Sequence, residues 1–444
     1  MSSELLAPLD LAFWHLESAE HPMHLGALAH FDPSPGTAAG QVLDLLAGRA
    51  AAIARLRMRV RDVWLPVGGA AWVADQDFDV RRHVRRVRLP AADFDAEAAR
   101  IAGELMERPL SRGLPPWRMY VLTGEDDGPF AVLVKLHHAL ADGMRAVAIG
   151  AGVLDQLATP GVRRRRPVPP RSWLPGPREV AGLARDRVGE LTRAVGIGAS
   201  VMRAGRLDLD AGSALAADSS GTRRLAAAVL DHEDVQRVRR AEGGTANDVL
   251  LAVVAGGLRR WLLERGSGVP GAEPRALVPV SRRRPGAPPG SGNKLSAYLL
   301  GLPVAEPDPL ARLAAVRTAM DRNKAAGPGR GAGAVALLAD QLPPLAHRFG
   351  APLAGSAARM LFDVLVTSVP LPRAELSLGG CPLRAVYPMA PLARGQSLAV
   401  ALSAYGGRVH IGLVADGKAV PDLDRLAACL RRELGDLLAA SAAR

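Results

Sequence analysis

The sequence is poor in cysteine, lysine and aromatic residues, and each scarcity narrows the choice of function. Cys381 and Cys429 are the only cysteines among 444 residues, so a disulfide framework is excluded. The chain does not open with a basic segment followed by an apolar one, which is the pattern of a secretory signal. The longest uncharged apolar runs, such as residues 249–258, fall short of the roughly 18 residues that a membrane-spanning helix needs. We therefore expect a reducing, cytoplasmic setting and no segment that crosses a bilayer.

Positive charge is abundant but is carried almost entirely by arginine. Only four of the 56 basic residues are lysine, and the formal net charge is +12. Such a surface attracts phosphate groups, as a nucleic-acid binder requires. However, aromatic residues make up only 4% of the sequence and do not alternate with the arginines as a base-stacking surface would. We therefore predict no nucleic-acid partner, and we favour an anionic membrane surface or an anionic cofactor as the target of this charge.

Composition changes along the chain predict two domains. Residues 1–158 alternate strand-like and helix-like runs without a long polar interruption, which indicates a first domain. Residues 159–222 open with a stretch rich in proline and arginine, typical of an exposed linker, and continue with apolar residues at helical spacing, which predict a bridging helix. Residues 223–444 alternate again and indicate a second domain. Strands mixed with helices throughout favour layered α/β or α+β domains.

The second half carries the clearest secondary-structure patterns. Apolar and β-branched runs bounded by turn residues predict strands in LAAAVL, RALVPVSRR, SAYLLGLPV, DVLVTSVPL, SLAVALSAYGG and RVHIGLVAD. Helical spacing with capping and glycine signals predicts helices in DHEDVQRVRRAEGG, TANDVLLAVVAGGLRRWLLERG and PDLDRLAACLRRELGDLLAA.

The heptapeptide HHALADG, residues 137–143, follows the apolar run FAVLVKL in the first half. Side chains alternate along a strand, so His138 shares a face with Phe130, Val132, Val134 and Leu136, while His137 points to the opposite face. A metal site needs a cluster of three or four donors, and these two imidazoles diverge. We therefore predict no metal.

Two explanations of this heptapeptide stay open from the residues alone. In the first, the histidines simply end a strand and Asp142 caps a helix, with Gly143 allowing close backbone approach. In the second, a histidine that titrates near neutral pH takes a proton from a hydroxyl group, while a nearby acid paired with an arginine holds the turn rigid. Taken together, the residues outline a general-base site.

Motifs of other catalytic classes are missing from the sequence. No G-x-S-x-G nucleophile elbow occurs, and neither cysteine lies in a nucleophile motif. The segment GSGVPG, residues 266–271, matches G-x-G-x-x-G, but it follows a predicted helix, precedes a predicted strand and contains proline. That order is the reverse of a dinucleotide-binding loop. We therefore predict neither a covalent acyl-enzyme nor a bound nucleotide cofactor.

HHALADG resembles the HHxxxDG signature of the CoA-dependent acyltransferase superfamily. Further segments are similar, in chain order, to the bacterial wax ester synthase/diacylglycerol acyltransferase family: PLDLAFWHLESAEHPMHLGALAHFD, IARLRMRV, PPW, TANDVLLAVVAGGLRRWL, GNKLSAYLLGLPV and LSAYGGRVHIGLVADGKAVPDLDRL. The similarity covers nearly the whole chain. It implies an α/β (α+β) fold of two chloramphenicol-acetyltransferase-like domains, each a mixed β-sheet flanked by helices, with the active site in a tunnel between them.

The resemblance also implies roles for the residues of the signature. By matching position, His138 is the catalytic base, and His137 is the accompanying histidine. Asp142 and Gly143 form the structural part of the motif. The resemblance implies no bound cofactor, with acyl-CoA acting as a co-substrate.

Two more pairs of residues match the family by position. The motif aspartate is expected to pair with an arginine of the first half, for which Arg57 is the best counterpart and Arg59 a close rival. Asn247 and Asp248 match the Asn-Asp pair of the family. The same segment also fits a variant of a capping box with Thr245 at the N-cap, so both roles stay open for it.

Two segments depart from the family pattern and bear on substrate choice. Where the family commonly has Pro-Leu-Trp, residues 115–117 are Pro-Pro-Trp, which keeps the tryptophan in a stiffer setting. Where it commonly has Asn-Val-Pro-Gly-Pro, residues 368–372 are Ser-Val-Pro-Leu-Pro, which lacks the amide side chain and the permissive glycine. We expect Trp117, Ser368 and Pro370 to contact the substrate.

The activity implied by the resemblance is direct transfer of a long-chain acyl group from acyl-CoA to diacylglycerol or to a long-chain fatty alcohol. Peripheral association with a membrane or lipid-body surface is expected. The basic run RRHVRRVR, residues 81–88, is a candidate contact, although a solvated charge run is the commoner explanation. Two alternatives stay open: a transferase of the same fold that acylates a specialised-metabolite hydroxyl or amine, and a non-catalytic lipid-binding or lipid-body protein.

Overall fold

The structure is a computed structural model, and it describes residues 4–36, 39–90, 93–124, 128–141, 143–155, 215, 217–269, 273–281, 295–326, 344–345, 347–348 and 361–443. Asp142 lies outside the described residues. The predicted linker and bridging helix also lie outside them, except for Leu215 and residues 217–222. No helix within the described ranges combines the length and the apolar character needed to cross a membrane.

The first half of the chain contains seven strands and four helices within the described residues. The strands are β1 (Glu4–Leu5), β2 (His24–Phe31), β3 (Met58–Asp62), β4 (Ala70–Ala74), β5 (Val84–Arg88), β6 (Trp117–Thr123) and β7 (Phe130–His137). The helices are α1 (Pro8–Leu16), α2 (Ala39–Ala52), α3 (Phe94–Glu107) and α4 (Gly143–Val153), with short 3-10 turns at Ala54–Arg57 and Val80–Arg82.

The second half contains eight strands and four helices within the described residues. The strands are β8 (Arg223–Asp231), β9 (Arg275–Ser281), β10 (Leu295–Gly301), β11 (Val364–Ser368), β12 (Ser377–Leu378), β13 (Cys381–Met389), β14 (Leu398–Tyr405) and β15 (Arg408–Asp416). The helices are α5 (His232–Glu242), α6 (Ala246–Glu264), α7 (Pro309–Ala326) and α8 (Leu423–Ala442). The strands and helices predicted for this half are all confirmed, whereas α7, β12 and β13 were not predicted.

Two six-stranded mixed sheets form the framework, in agreement with the predicted fold class. The first has the order β12-β13-β2-β7-β6-β5, in which only β5 and β6 run parallel among the described pairs. The second has the order β10-β9-β11-β14-β15-β8, in which β11 runs parallel to both of its neighbours. A small three-stranded sheet, β1-β4-β3, lies beside the first. Helix α8 packs on α6 and β8 and covers the second sheet.

Strand β13 belongs to the second half by sequence but lies in the first sheet. It pairs antiparallel with β2, with Met389 opposite Gly26 and Leu383 opposite Phe31. Position 26 requires glycine, because a Cβ atom there would lie 2.4 Å from the carbonyl oxygen of Val134 on β7. The first sheet therefore contains strands from both halves of the chain. The division at residues 158 and 223 stays a prediction.

Candidate active site

An apolar cavity of about 440 Å³ lies between α4 and the face of the first sheet formed by β2 and β7. Its floor is made by alternate residues of these two strands and by His138, which directly follows β7: Leu25, Ala27, Ala29, Phe31, Val132, Val134, Leu136 and His138. The second half contributes another wall, with Pro279, Leu365, Thr367, Ser368, Val369 and Pro370 among its residues. The cavity therefore lies between the two halves of the chain.

His138 is the only ionisable side chain that lines this cavity among the described residues. The alternation of side chains along β7 explains its position, because His138 continues the row of Val132, Val134 and Leu136. The eight residue steps from His138 to Phe130, which pairs with Phe31, span roughly 26 Å. The cavity floor is therefore long enough for the hydrocarbon chain of a long-chain fatty acid.

The backbone and ring of His138 are both fixed by neighbouring residues. Its backbone N–H donates to the carbonyl oxygen of Met23 at 2.8 Å. Its half-buried imidazole stacks on the ring of Phe13, with centroids 4.0 Å apart and an angle of 26° between the planes. Phe13 comes from α1, which packs against the rings of both His138 and His137. A histidine held in this way can accept a proton from a group bound in the cavity.

His137 is buried on the opposite side of the strand and does not line the cavity. Its Nδ1 accepts the backbone N–H of Ala139 at 3.0 Å, which closes the turn after β7. Because Nδ1 is an acceptor, a neutral ring carries its proton on Nε2. Burial lowers the pKa of His137 to about 3, so the ring is neutral at physiological pH. This geometry supports a positioning role for His137 and gives it no access to a bound substrate.

A buried carboxylate, Glu17, lies behind the histidine pair. Its Oε1 is 3.2 Å from Nε2 of His24 and 3.6 Å from Nε2 of His137, and its Oε2 is 3.7 Å from the guanidinium of Arg112. Burial alone would raise the pKa of Glu17, but the polar contact with His24, reinforced by the charge of Arg112, lowers it overall. Burial lowers the pKa of His24. Glu17 therefore balances the positive charge of Arg112 and orients two neutral imidazoles beneath the site.

No sequence motif predicts a role for Glu17, His24 or Phe13. All three lie in the N-terminal segment that resembles the family, but no regular spacing connects them to the histidine pair. His24 meets His137 only because β2 pairs with β7, and Phe13 meets His138 only because α1 folds over the strand ends. For Glu17 and His24 the available signal was their polar character in a segment rich in apolar residues; Phe13 carried no such signal.

The far end of α4 is fastened by Asp155. Its carboxylate accepts hydrogen bonds from Nη1 of Arg49 at 2.7 Å and from the hydroxyl of Ser377 at 2.8 Å. It also accepts hydrogen bonds from the backbone N–H groups of Gly379 and Gly380, at 3.0 and 2.8 Å. Burial would raise the pKa of Asp155, but these hydrogen bonds lower it to about 2. The contact joins α2, α4 and the β12–β13 hairpin, and so holds the cavity walls together.

The pairing predicted for the motif aspartate involves Asp142, which lies outside the described residues, with Arg57 or Arg59. Gly143 begins α4. The guanidinium of Arg57 lies 5.7 Å from the ring centroid of Phe78. Arg59 lies 3.9 Å from Asp75 and is half-exposed. The pairing of Arg57 with the motif aspartate stays a prediction.

Asn247 and Asp248 take different parts at the start of α6. The capping box is present: Thr245 Oγ1 accepts the N–H of Asp248 at 3.2 Å, and Asp248 Oδ2 accepts the N–H of Thr245 at 2.8 Å. Oδ1 of Asn247 instead accepts a hydrogen bond from the hydroxyl of Ser368 at 2.9 Å. Because Ser368 lines the cavity, Asn247 connects α6 to the cavity wall, whereas Asp248 secures the helix.

The three residues expected to contact substrate divide into two groups. Ser368 and Pro370 line the cavity. Trp117 does not: it is fully buried, its indole N–H donates to the carbonyl oxygen of Leu56 at 2.6 Å, and its ring stacks on His83 at 4.6 Å. These contacts give Trp117 a structural role at the start of β6. A contact between Trp117 and the substrate stays a prediction.

No group of three or more His, Cys, Asp or Glu side chains in the described part of the chain is arranged to hold a metal ion.

Known structures share this architecture over the whole chain. The wax ester synthase/diacylglycerol acyltransferase from Marinobacter aquaeolei VT8 matches with a TM-score of 0.72 at 25% identity, over 99% of this chain and 100% of that chain. The trichothecene 15-O-acetyltransferase from Fusarium sporotrichioides matches with a TM-score of 0.62 at 10% identity, over 98% and 95% of the two chains. The fold is therefore that of the two-domain, chloramphenicol-acetyltransferase-like acyltransferases.

Family models and relatives narrow this class further. Residues 6–250 match the wax ester synthase/diacylglycerol acyltransferase catalytic domain, and residues 291–438 match the C-terminal domain of the same family. A probable diacylglycerol O-acyltransferase of Mycobacterium tuberculosis is 32% identical over 452 residues, which cover 98% of each chain. The chain belongs to the wax ester synthase/diacylglycerol acyltransferase family and is an acyltransferase enzyme.

Proposed function

We propose that the protein transfers a long-chain fatty acyl group from acyl-CoA to diacylglycerol or to a long-chain fatty alcohol, with His138 as the general base. The observation that carries this proposal is the position of His138, the single ionisable side chain among the described lining residues of a long apolar cavity. Apolar walls suit acyl chains, and one imidazole suffices to activate a hydroxyl group.

The proposed reaction needs no covalent enzyme intermediate. The acceptor hydroxyl gives its proton to the imidazole of His138 as its oxygen attacks the thioester carbonyl carbon of acyl-CoA. A new ester C–O bond forms and the C–S bond breaks, and the coenzyme A thiolate leaves with the proton that His138 held. His137, Glu17 and Phe13 hold the base in place without touching the reacting atoms.

An acceptor panel tests this function. Purified protein is incubated with labelled palmitoyl-CoA and diacylglycerol, hexadecanol or water, and the labelled products are separated. We expect ester with at least one of the two alcohols, and a loss of roughly a hundredfold or more in His138→Ala. His232→Ala, which removes a histidine at the start of α5, should keep the activity. If none of the acceptors yields ester, the proposal is wrong.

The cavity wall supports a second candidate function, acylation of a specialised-metabolite hydroxyl or amine. Residues 368–372 replace the Asn-Val-Pro-Gly-Pro common in the family, and Ser368, Pro370 and Leu371 line the cavity. Adding a small hydroxylated and a small amine acceptor to the panel distinguishes this function, because the second candidate requires them to be acylated faster than diacylglycerol or hexadecanol.

We also propose that the enzyme works at a lipid surface, since its acceptors reside in membranes or lipid bodies. The net charge of +12 supports attraction to anionic lipid. The basic run at residues 81–88 supplies the edge strand β5, in which Arg85 and Arg88 are exposed. Co-sedimentation with anionic vesicles tests this association.

A further inference from the structure

The exposed apolar residues of the chain are concentrated at one corner of the structure. Seven large apolar side chains are exposed among the described residues, and three of them follow one another closely in the β3–β4 hairpin: Trp64 (86% exposed), Leu65 (44%) and Val67 (53%). We call residues 64–67 the apolar tip. A tryptophan with so little cover is unusual here, because Trp14, Trp72, Trp117 and Trp261 are all buried.

The apolar tip is a closed turn with a defined shape. The N–H of Val63 donates to the carbonyl oxygen of Gly69 at 3.0 Å, and the N–H of Gly69 donates to that of Pro66 at 2.8 Å. These bonds fix both ends of the turn while its side chains project outward. The backbone of Pro344 and Leu345 passes against Gly68, where an added Cβ would lie 3.1 Å from Leu345.

Further exposed apolar residues surround the tip. Leu345, beside Gly68, is 41% exposed. Leu5 is 50% exposed and lies on β1, which pairs with β4 next to the hairpin. Five of the seven exposed large apolar side chains among the described residues therefore share this corner. The patch extends well beyond one surface residue, which is the feature that marks an interaction site.

The tip is connected directly to the candidate active site through α1. Nε2 of His15, near the end of α1, lies 3.2 Å from the carbonyl oxygen of Gly68 at the base of the tip. Two residues earlier, Phe13 stacks on His138. Met144, which lines the cavity with His138, is itself 46% exposed. A surface that engages the tip therefore lies next to the His138 end of the cavity.

Positive charge surrounds the tip. Arg61 is exposed on β3, one residue before Asp62. Burial is the main cause of the lowered pKa of His15, and the nearby guanidinium groups of Arg348 and Arg112 lower it further. Both of these arginines are exposed. Glu17 balances Arg112, so Arg61 and Arg348 against Asp62 give the corner a net positive charge, which suits anionic headgroups around an inserted apolar element.

We propose that the apolar tip inserts into the headgroup region of an anionic lipid surface and places the His138 end of the cavity against that surface. Tryptophan favours this position, because its ring is amphipathic and its N–H remains near water. The inference rests on the proposed function only in naming lipid as the place where the acceptor is found.

Vesicle binding tests the tip separately from catalysis. The full-length protein is sedimented with vesicles of phosphatidylcholine alone or mixed with phosphatidylglycerol. The combined variant Trp64→Ser, Leu65→Ser and Val67→Ser should bind the mixed vesicles roughly tenfold more weakly or worse, whereas Leu263→Ser, which removes a 49% exposed leucine on α6, should bind as the wild type does. Equal binding by both variants would overturn the inference.

A second variant and a second assay separate the possible outcomes. Arg61→Gln with Arg348→Gln should weaken binding to the mixed vesicles and leave binding to pure phosphatidylcholine unchanged. With a short-chain acyl-CoA and a soluble alcohol, the tip variant should keep wild-type activity. If the wild type binds vesicles but has no transfer activity, the proposed function is contradicted, whereas the inference about the apolar tip still holds. Wild-type dimers that the tip variant converts to monomers, without vesicle binding, would instead make the tip a protein interface.

Discussion

The apolar floor of the cavity predicts that chain-length preference can be changed at a single residue, Ala27. This alanine lies on β2 opposite Val134, and its side chain lines the cavity. His138 is four residue steps from Val134 along the chain, so the level of Ala27 is roughly 13 Å from the base. Ala27→Leu places a branched side chain at that level, about halfway along the floor to Phe31.

The expected change in kcat/KM follows from the length of hydrocarbon that the new side chain displaces from the cavity. A chain that ends before Ala27 is unaffected, whereas a longer chain must leave part of its length unburied or displace the wall. Each buried methylene contributes roughly 0.8 kcal/mol, so about three displaced methylenes cost roughly 2.4 kcal/mol, or about fiftyfold in kcat/KM. The ratio of octanoyl to palmitoyl turnover therefore measures the effect within one variant.

The assay compares two substrate series. The first uses acyl-CoA donors from octanoyl to stearoyl with one acceptor, and the second uses alcohols from octanol to octadecanol with one donor. We expect the preference for long chains to fall about fiftyfold in one series and to stay unchanged in the other, which identifies the chain that lies along β2. Ala311→Leu, an exposed position on α7, is the matched control.

A wild-type chain-length profile in both series, from a variant with an unchanged melting temperature, would refute this reasoning. It would mean that neither chain lies along the β2–β7 floor. The reciprocal change Phe31→Leu opens the far end, where Phe31 stacks on Phe130 at 5.0 Å and faces Leu383 on β13. It should improve turnover only for the longest chains in the same series.

Three further predictions concern the groups around the cavity. His137→Asn keeps an acceptor for the Ala139 amide and should retain most of the activity, whereas His137→Leu leaves that buried amide without its partner at a cost of about 1–3 kcal/mol in urea denaturation. Equal stability of the two variants would contradict this role. Because burial lowers the pKa of His137 from 6.5 to about 3, the unfolded chain binds a proton that the folded chain does not. Above pH 6.5 the ring is neutral in both states and does not reduce the free energy of unfolding. Below pH 6.5 proton binding to the unfolded chain lowers that free energy by up to about 1.4 kcal/mol per pH unit. The free energy of unfolding of His137→Asn should therefore fall less steeply than that of the wild type between pH 6.5 and pH 5. Asp155→Ala removes the acceptor of four hydrogen bonds and should lower the free energy of unfolding by about 2 kcal/mol, while Asp44→Ala, at an exposed position of α2, should have little effect.

Much of the fold followed from local patterns. Strands β8, β9, β11, β14 and β15 have apolar runs bounded by turns, and α5, α6 and α8 carry helical spacing with clear ends. Strand β13 was missed because its sequence, CPLRAVYPM, contains two prolines and an arginine in an interrupted apolar pattern. Its position is decided by the pairing with β2, more than 350 residues earlier in the chain, which no local pattern records.

The candidate site, like the fold, could be predicted only in part from the sequence. Alternation along one strand was sufficient to place His138 in the apolar row and to send His137 to the other side, and the two rings lie accordingly. Burial, which removes His137 from acid–base chemistry at neutral pH, could not be read from the sequence, because it depends on α1 folding over the strand ends. The same covering helix brings Phe13 to His138 and Glu17 to the buried imidazoles.

The sequence by itself determined the class of fold, the family and the residue that faces the cavity, because periodicity and motif residues are properties of short segments. Only the tertiary structure decided what supports that residue, how long the apolar floor is, and which apolar side chains remain at the surface. These depend on contacts between segments far apart in the chain, such as β2 with β7, α1 with the histidine turn, and the β3–β4 hairpin with α1. Their geometry exists only once the sheets have formed.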